Sequence, residues 1–398
     1  MLLDRFLRYV KIDTQSDEES STSPSTKKQY DLLNLLEEEL ENLGVKSTLD
    51  EYGRLYAKVE GNKAYSNIGL CAHVDTALEC SGKDVKPQVV KDYDLKDIPL
   101  GKSGLSLSPN EFVKLKELKG KTLITTDGTT LLGADDKAGV AIIMEVLENY
   151  LMIDPKNRRG LSILFTPDEE IGRGPEHFDP VKYDCEFAYT IDGSEPEAIE
   201  IENFNAKSTS IKIKGKSIHP GDAKGVMINA SLVLAEFMNL LPKDMIPSKT
   251  SGREGFNHVV SINGDVENAS AHYILRNHDS KILAKQVEDF ENIKSQLEKE
   301  YPGCLISLQI TDQYRNMAEV IAKHPECKNH IEKVFDRLGF KYVYKPIRGG
   351  TDGATFSFKG VPCPNLGTGS YNHHGRYEFA VLEEMEKIVQ IGLEIFKL

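Results

Sequence analysis

The spacing of apolar and polar positions changes repeatedly along the first 200 residues. Leucines between Leu32 and Leu43 recur every three or four residues, which places them on one face of a helix, and Gly44 supplies its C-terminal stop. A second apolar helix is predicted from about Ala138. Short continuous apolar runs, typical of buried strands, occur at 54–60, 67–72, 161–165 and 187–191. Strands that alternate with helices predict an α/β layer structure.

The pattern changes near Lys207. From there the predicted elements are a strand, a helix at Met227–Leu241, strands at His258–Asn263 and His272–Asn277, a helix at Ser280–Glu300 and a strand at Cys304–Ile310. The order β-α-β-β-α-β is that of the ferredoxin-like unit. Because αβ character returns afterwards, the sequence predicts a discontinuous domain of residues 1–206 and 311–398, with a small α+β domain inserted at 207–310.

Composition narrows the class of protein. A chain of 398 residues exceeds what one core usually supports. The net charge of −13, without a basic block, argues against a nucleic-acid or anionic-membrane partner, and no apolar run approaches a membrane span. The six scattered cysteines form no C-x-x-C pair and fit a reducing compartment. We therefore expect a cytoplasmic protein.

Candidate chemistry begins at the end of the strand at 67–72. His73 and Asp75 follow it directly and, being two residues apart on an extended chain, point to the same side. One could bind a metal while the other fixes the histidine tautomer. Taken alone, such a stretch is more often a strand end whose surface pair has satisfied hydrogen bonds.

Acidic residues recur at two later turns. Asp135 and Asp136 begin a predicted helix, where carboxylates also serve as ordinary caps. The run 168–170, Asp-Glu-Glu, follows the buried strand LSILF, and an acidic surface loop is the alternative there. The functional interpretation is a division of labour, in which one glutamate binds metal and its neighbour takes a proton from water.

Two further stretches complete the set. Asp192 follows the strand FAYTI, and the pair His373-His374 lies in a glycine-containing loop before the last helix. Sites in open α/β sheets form at strand ends. Two histidines and several carboxylates suffice for two divalent ions that share one carboxylate, and nitrogen and oxygen ligands favour Zn²⁺ without excluding Mn²⁺ or Co²⁺.

The order of these motifs resembles that of the M20 metallopeptidases. The resemblance includes His-x-Asp, GADDKAG, PDEEIG, IDG and HHGRYEF, extends to the longer stretches HPGDAKGVMINA and IRGGTDGATFSFKG, and covers nearly the whole chain. It implies a zinc-peptidase-like α/β catalytic domain, with a central mixed sheet and helices on both faces, and an inserted ferredoxin-like lid domain. It also implies an aminopeptidase that releases the N-terminal residue of tripeptides. A dipeptidase, a carboxypeptidase or an N-acyl amino acid amidohydrolase of the same type is the alternative.

The resemblance also implies a role for each matching residue. Asp135 bridges two zinc ions, His73 and Asp192 complete one site, and Glu170 and His374 complete the other. Asp75 orients His73, Glu169 is the general base, His219 polarises the scissile carbonyl, and Arg276 and Arg348 bind the peptide carboxylate. The bond between Asp135 and Asp136 is expected to be cis. The expected partners are small peptides, and the chain is expected to be a monomer or a homodimer.

Three positions depart from a simple match. Asp136 competes with Asp135, and His373 competes with His374; each choice rests on the position of the following Lys or Gly. After Arg276, Asn277 and His278 stand where the family more usually has an acid and an aromatic residue. A zinc-binding protein without catalysis is a third hypothesis, and Glu169 beside a full ligand set counts against it because a binder needs no spare base.

Overall fold

The computed structural model describes residues 1–398. Its contacts divide the chain into two compact units. The first unit consists of Met1–Ile201, Met317–Lys345 and Thr351–Leu398, and the second of Glu202–Asn316 and Pro346–Gly350.

The strands and helices are numbered in chain order. The strands are β1 (Ser47–Leu49), β2 (Leu55–Val59), β3 (Ile68–His73), β4 (Gln88–Val90), β5 (Ile98–Pro99), β6 (Ser106–Leu107), β7 (Leu123–Thr125), β8 (Leu161–Thr166), β9 (Phe187–Gly193), β10 (Ala198–Glu200), β11 (Asn205–Lys214), β12 (Phe256–Gly264), β13 (Asn268–Asn277), β14 (Leu305–Tyr314), β15 (Val343–Tyr344), β16 (Asn365–Gly367), β17 (Ser370–Tyr371) and β18 (Phe379–Val381). The α-helices are α1 (Leu2–Tyr9), α2 (Gln29–Asn42), α3 (Ala134–Leu151), α4 (Pro180–Tyr183), α5 (Ala230–Leu240), α6 (Ser280–Glu300), α7 (Ala318–Ile321), α8 (Pro325–Leu338), α9 (Asp352–Phe358) and α10 (Leu382–Ile395). None of these helices combines the length and the apolar character that a transmembrane segment requires.

An eight-stranded mixed sheet forms the centre of the first unit, in the order β1-β2-β8-β3-β9-β16-β10-β15. β3 is parallel to both β8 and β9, whereas β2 is antiparallel to β8. All residues of β3 and β8 are buried, which explains their continuous apolar runs. Helices cover both faces: α3 packs with α1 and α10 against β3, while α4 and α9 contribute to a separate core cluster that includes Cys71. The predicted α/β class with a central mixed sheet is confirmed.

A second sheet of the same unit has the order β17-β18-β7-β4. Its strands come from two parts of the chain: the region 81–130, for which the sequence pattern predicted mostly irregular structure, and the C-terminal segment. β18 pairs antiparallel with β7, so the loop before β18 lies close to the loop that leads from β7 into α3. This pairing joins two candidate motifs that are far apart in the sequence.

The second unit contains one antiparallel sheet, in the order β12-β13-β11-β14, with α5 and α6 packed on one face. Strand and helix order along the chain is β-α-β-β-α-β, which is the predicted ferredoxin-like arrangement. The unit is wider than the insertion predicted at 207–310, because β11 begins at Asn205 and β14 ends at Tyr314. Pro346–Gly350 also belongs to it, so Arg348 lies in the second unit and not in the first, where the predicted limits put it. The independence of this domain stays a prediction.

Candidate metal centre

Strand β3 ends at the first candidate ligand. His73 is its last residue, and the His73 Nδ1 atom lies 3.3 Å from Asp75 Oδ1. The Asp75 carboxylate also accepts hydrogen bonds from the backbone N–H groups of Glu169, at 3.0 Å, and Glu170, at 3.2 Å. Asp75 therefore holds both the imidazole and the acidic turn after β8, as a carboxylate behind a ligating histidine does.

The other ring nitrogen of His73 faces two carboxylates. His73 Nε2 lies 2.9 Å from Asp135 Oδ1 and 3.4 Å from Asp192 Oδ1. Burial of the imidazole lowers its pKa, but the hydrogen bonds with these carboxylates and Asp75 outweigh that and raise the pKa of His73 well above its usual range. For a carboxylate, burial acts in the opposite direction: it raises the pKa of Asp192 to about 6, and the charge of Asp135 adds to the rise.

The second oxygen of Asp135 faces a different group of side chains. Asp135 Oδ2 lies 3.4 Å from His374 Nε2, and His374 Nε2 lies 3.1 Å from Glu170 Oε2. The other oxygen of that glutamate, Glu170 Oε1, is buried and has no hydrogen-bond partner. Burial, together with the nearby Asp135 charge, raises the pKa of Glu170 to about 8.

Two groups of donor atoms are close enough together to hold a metal ion. One is His73, Asp135 and Glu170, and the other is His73, Asp136 and Asp192. Asp136 is therefore a geometric competitor of Asp135, as the sequence indicated. Its carboxylate is completely buried, however, and accepts hydrogen bonds from the backbone N–H groups of His73 and Gly139.

The backbone around Asp135 gives the carboxylates of Asp135 and Asp136 different positions. The Asp135–Asp136 peptide bond is cis, as expected, and both residues have non-helical φ and ψ angles within α3. A Cβ atom at Gly139 would lie 2.0 Å from Ile191 O and 2.4 Å from Asp136 Oδ1. Glycine at this position thus allows α3 to approach β9 and the Asp136 carboxylate closely, which accounts for the second glycine of GADDKAG.

The neighbouring residues His373 and His374 also have different contacts. His373 Nδ1 lies 3.4 Å from Asp135 Oδ2, but its Nε2 atom is hydrogen-bonded to Ser370 Oγ at 2.9 Å. His374 contacts both Asp135 and Glu170, and its Nδ1 atom lies 3.3 Å from Glu79 Oε1. Glu79, in the loop after β3, had no motif around it that would have indicated this contact.

The three acids after β8 also separate. Asp168 is buried, and its carboxylate accepts hydrogen bonds from Ser25 N and from Gln29 Nε2, so it holds the turn to the N-terminal segment. The Glu169 carboxylate takes part in no hydrogen bond or ion pair, and burial raises its pKa well above its usual range, more than the opposing charge of His73 lowers it. Glu170 faces His374, as described above. Three adjacent carboxylates thus have three different environments.

The remaining predicted residues lie in the second unit. His219 is exposed, and its Nδ1 atom accepts a hydrogen bond from Gly221 N at 3.1 Å. Arg276 donates from Nη1 to the carbonyl oxygens of Lys207 and Leu275. Arg348 donates to loop 250–254, through the carbonyl oxygens of residues 252 and 254 and a threonine hydroxyl. Their assigned roles stay predictions.

Glu378 was missed by the sequence reasoning. It stands in HHGRYEF directly before β18, is 1% exposed and accepts three backbone hydrogen bonds from the segment 132–135. Only the pairing of β18 with β7 brings it there.

Histidine and carboxylate donors gathered at the strand ends of a mixed α/β sheet fit a metal-dependent hydrolase. The chain belongs to peptidase family M20/M25/M40, whose model matches residues 125–397. It is 47% identical over 399 residues to Peptidase T of Clostridium perfringens, covering 99% of this chain and 98% of the relative. The resemblance to M20 metallopeptidases is confirmed.

Solved structures show the same fold. Aminopeptidase PepT from Bacillus cereus superposes with a TM-score of 0.77 at 19% identity, covering 99% of this chain and 96% of the other. A tripeptidase from Staphylococcus aureus superposes with a TM-score of 0.77 at 22% identity, covering 100% of this chain and 97% of the other. At these identities the two structures establish the fold.

Proposed function

We propose that this protein is a di-zinc aminopeptidase that releases the N-terminal residue of tripeptides. The observation that carries the proposal is the position of Asp135, whose two oxygens face two different histidines, His73 at 2.9 Å and His374 at 3.4 Å. A carboxylate in that position suits a bridge between two ions. The relative named Peptidase T, and the folds of an aminopeptidase and a tripeptidase, support the substrate class.

The donor set fits divalent cations. Imidazole nitrogens and carboxylate oxygens are ligands for Zn²⁺, and Co²⁺ or Mn²⁺ could replace it. The buried, unpartnered Oε1 atom of Glu170 supports this assignment, because a buried polar atom without a partner costs free energy that a cation would recover. In this proposal His73 and Asp192 would hold one ion and Glu170 and His374 the other, with Asp135 available to both. When bound, such ions supply Lewis-acid polarisation of a carbonyl and acidify water.

Glu169 acts as the general base. It lies beside Glu170 and is partly buried, and its carboxylate has no hydrogen-bond partner. Its carboxylate takes a proton from the attacking water as the new C–O bond forms at the first peptide carbonyl. It then returns that proton to the amine nitrogen as the C–N bond breaks.

We assign His219 the role of a donor to the carbonyl oxygen. Because Nδ1 accepts the Gly221 N–H, the neutral ring has its proton on Nε2. An Nε2–H group can donate to the carbonyl oxygen and stabilise the negative charge that develops there.

Arg276 and Arg348 would bind the carboxylate end of the peptide through their planar, two-point geometry. Both Nη atoms of Arg348 already donate to loop 250–254. We therefore expect Arg276→Ala to raise KM for tripeptides more than Arg348→Ala does, with little effect on tripeptide amides.

A peptide panel with metal analysis tests the proposed function. We expect release of the free N-terminal residue from tripeptides, little cleavage of dipeptides, and none of N-acetylated tripeptides. Release of the C-terminal residue would favour the carboxypeptidase alternative, efficient cleavage of dipeptides the dipeptidase, and cleavage of N-acyl amino acids the amidohydrolase. Bound zinc without hydrolysis of any tripeptide would favour a non-catalytic binder. We place the activity in the cytoplasm because all six cysteines are free thiols.

A further inference from the structure

Glu378 connects the C-terminal hairpin of the first unit to the turn that precedes α3. Its Oε2 atom accepts hydrogen bonds from Leu132 N and Gly133 N, both at 2.7 Å, and its Oε1 atom accepts one from Asp135 N at 2.9 Å. One buried carboxylate thus contacts three backbone donors of a four-residue segment.

These donors need an acceptor from outside the helix. Asp135 N is one of the first N–H groups of α3, which have no intrahelical partner, and the positive end of the helix dipole favours an anion there. Leu132 N and Gly133 N lie in the turn directly before the helix. Here the need is greater because Gly133 has a φ of 75° and Asp135 is non-helical. No side chain at the N-cap position provides a hydrogen bond. Glu378 supplies the missing acceptor from a distant part of the sequence.

The hydrogen bonds to Glu378 fix the position of Asp135 more directly than that of Asp136. The Asp136 carboxylate is held by two backbone N–H groups, whereas the Asp135 carboxylate is contacted by side chains of the proposed ligands, chiefly His73 and His374. Because no backbone N–H group holds its carboxylate, Asp135 depends on its own backbone, together with the His73 contact, to place that group between His73 and His374. The hydrogen bond from Asp135 N to Glu378 fixes that backbone.

We propose that Glu378 is a positioning residue that sets where the Asp135 carboxylate lies, and thereby the affinity of the site for the two ions that would share this carboxylate. The proposal rests on the metal centre described under the proposed function. Outer partners of metal ligands typically change affinity about 10- to 100-fold when they are replaced.

Glu378→Gln is the direct test. Glutamine keeps the shape of the side chain but replaces one acceptor oxygen with an NH₂ donor. Because both oxygens of Glu378 accept from backbone N–H groups, the NH₂ group of glutamine would place a donor against a donor. The matched control is Glu383→Gln, because the Glu383 carboxylate accepts from the backbone of Thr122, away from the metal centre, with both oxygens at 3.0 Å. Each full-length variant is stripped of metal and titrated with Zn²⁺ against a chromogenic chelator, and kcat and KM for a tripeptide are measured at saturating Zn²⁺.

We expect Zn²⁺ affinity to fall about 10- to 100-fold in Glu378→Gln, with a lower kcat and an unchanged KM, while Glu383→Gln stays close to the wild type. Equal Zn²⁺ affinity and kcat in the two variants would overturn the proposal, since a merely structural role would lower only thermal stability. Should Glu378→Gln not fold, Glu378→Asp keeps the charge but is shorter by one methylene, and wild-type Zn²⁺ affinity in that variant would overturn the proposal too. If the wild type binds Zn²⁺ but cleaves no tripeptide, the proposed function fails while the affinity comparison still tests Glu378.

Discussion

The two ends of the proposed metal centre are built from different kinds of structure. At the strand end, His73 and Asp192 lie on β3 and β9, which are neighbours in the eight-stranded sheet. At the loop end, Glu170 follows β8 and His374 lies between β17 and β18 with a positive φ. The His73 side chain is 2% exposed and that of His374 is 39% exposed. Asp135 lies between the two ends.

This difference predicts unequal ion binding. Donors on packed strands have little conformational freedom left to lose, whereas loop donors must be ordered when the ion binds. We therefore expect the ion at the strand end to bind more tightly and exchange more slowly than the ion at the loop end.

The largest expected effect is on kcat and concerns Glu169, which belongs to neither end of the site. Glu169→Gln should leave both ions in place and lower kcat by about 10²- to 10⁴-fold, the usual contribution of a general base. Glu170→Gln should instead weaken the ion at the loop end. Steady-state kinetics with metal analysis of both variants checks this, and near-normal turnover in Glu169→Gln would show that the base is another group.

The next effect compares the histidines of the two ends. His374→Ala should lose the weaker ion and keep the tighter one, whereas His73→Ala should lose the tighter ion and weaken the other through Asp135. Each loss should be on the order of 10²-fold or more in affinity, since each variant removes a whole ligand from its site. Calorimetric titration of the metal-free variants with Zn²⁺ measures both ions. Identical titration curves for the two variants would contradict the inequality of the ends.

Glu79 should affect only the loop end, and less strongly. Its Oε1 atom lies 3.3 Å from His374 Nδ1 and orients that ring. Because the Glu79 side chain is 64% exposed, we expect Glu79→Gln to weaken the ion at the loop end about tenfold or less. The strand-end ion provides the internal control, and an equal change at both ends would rule out this role.

The smallest effect concerns stability behind the strand end. Burial raises the pKa of Glu200 from its ordinary value of 4.5 to about 7, although a hydrogen bond from Asn365 lowers it. Asn365 Oδ1 in turn accepts from the backbone of Asp192. The folded protein therefore keeps a proton that the unfolded chain releases, so this contribution to stability is complete below pH 4.5 and is lost as the pH rises through about 7.

Glu200→Gln removes that ionisation while keeping an acceptor for Asn365. Its free energy of unfolding, relative to the wild type, should increase between pH 4.5 and 7 by on the order of 1 to 3 kcal/mol. Urea unfolding at several pH values checks this, with Glu197→Gln as the control, because Glu197 is a partly exposed glutamate of the same segment that pairs with Lys387. A difference that does not change with pH would contradict the shifted pKa.

The positions of the residues at the strand end follow more directly from the sequence than those at the loop end, for a physical reason. His73 and Asp192 follow continuous apolar runs, and the carboxyl ends of parallel strands meet at one edge of a sheet. Glu378 and Glu79 make their contacts through loops, and only the folded chain shows which loops lie together. The same limit applies to Asp168, which resembled a third site carboxylate in sequence but is bound by Ser25 and Gln29.

The most direct test of the central claim is anomalous X-ray diffraction from crystals of the zinc-loaded protein. The account predicts two zinc peaks, one on each side of the Asp135 carboxylate, the first also contacted by His73 and Asp192 and the second by Glu170 and His374. A single peak, or zinc ligated by Asp136 or His373 in place of Asp135 or His374, would contradict it.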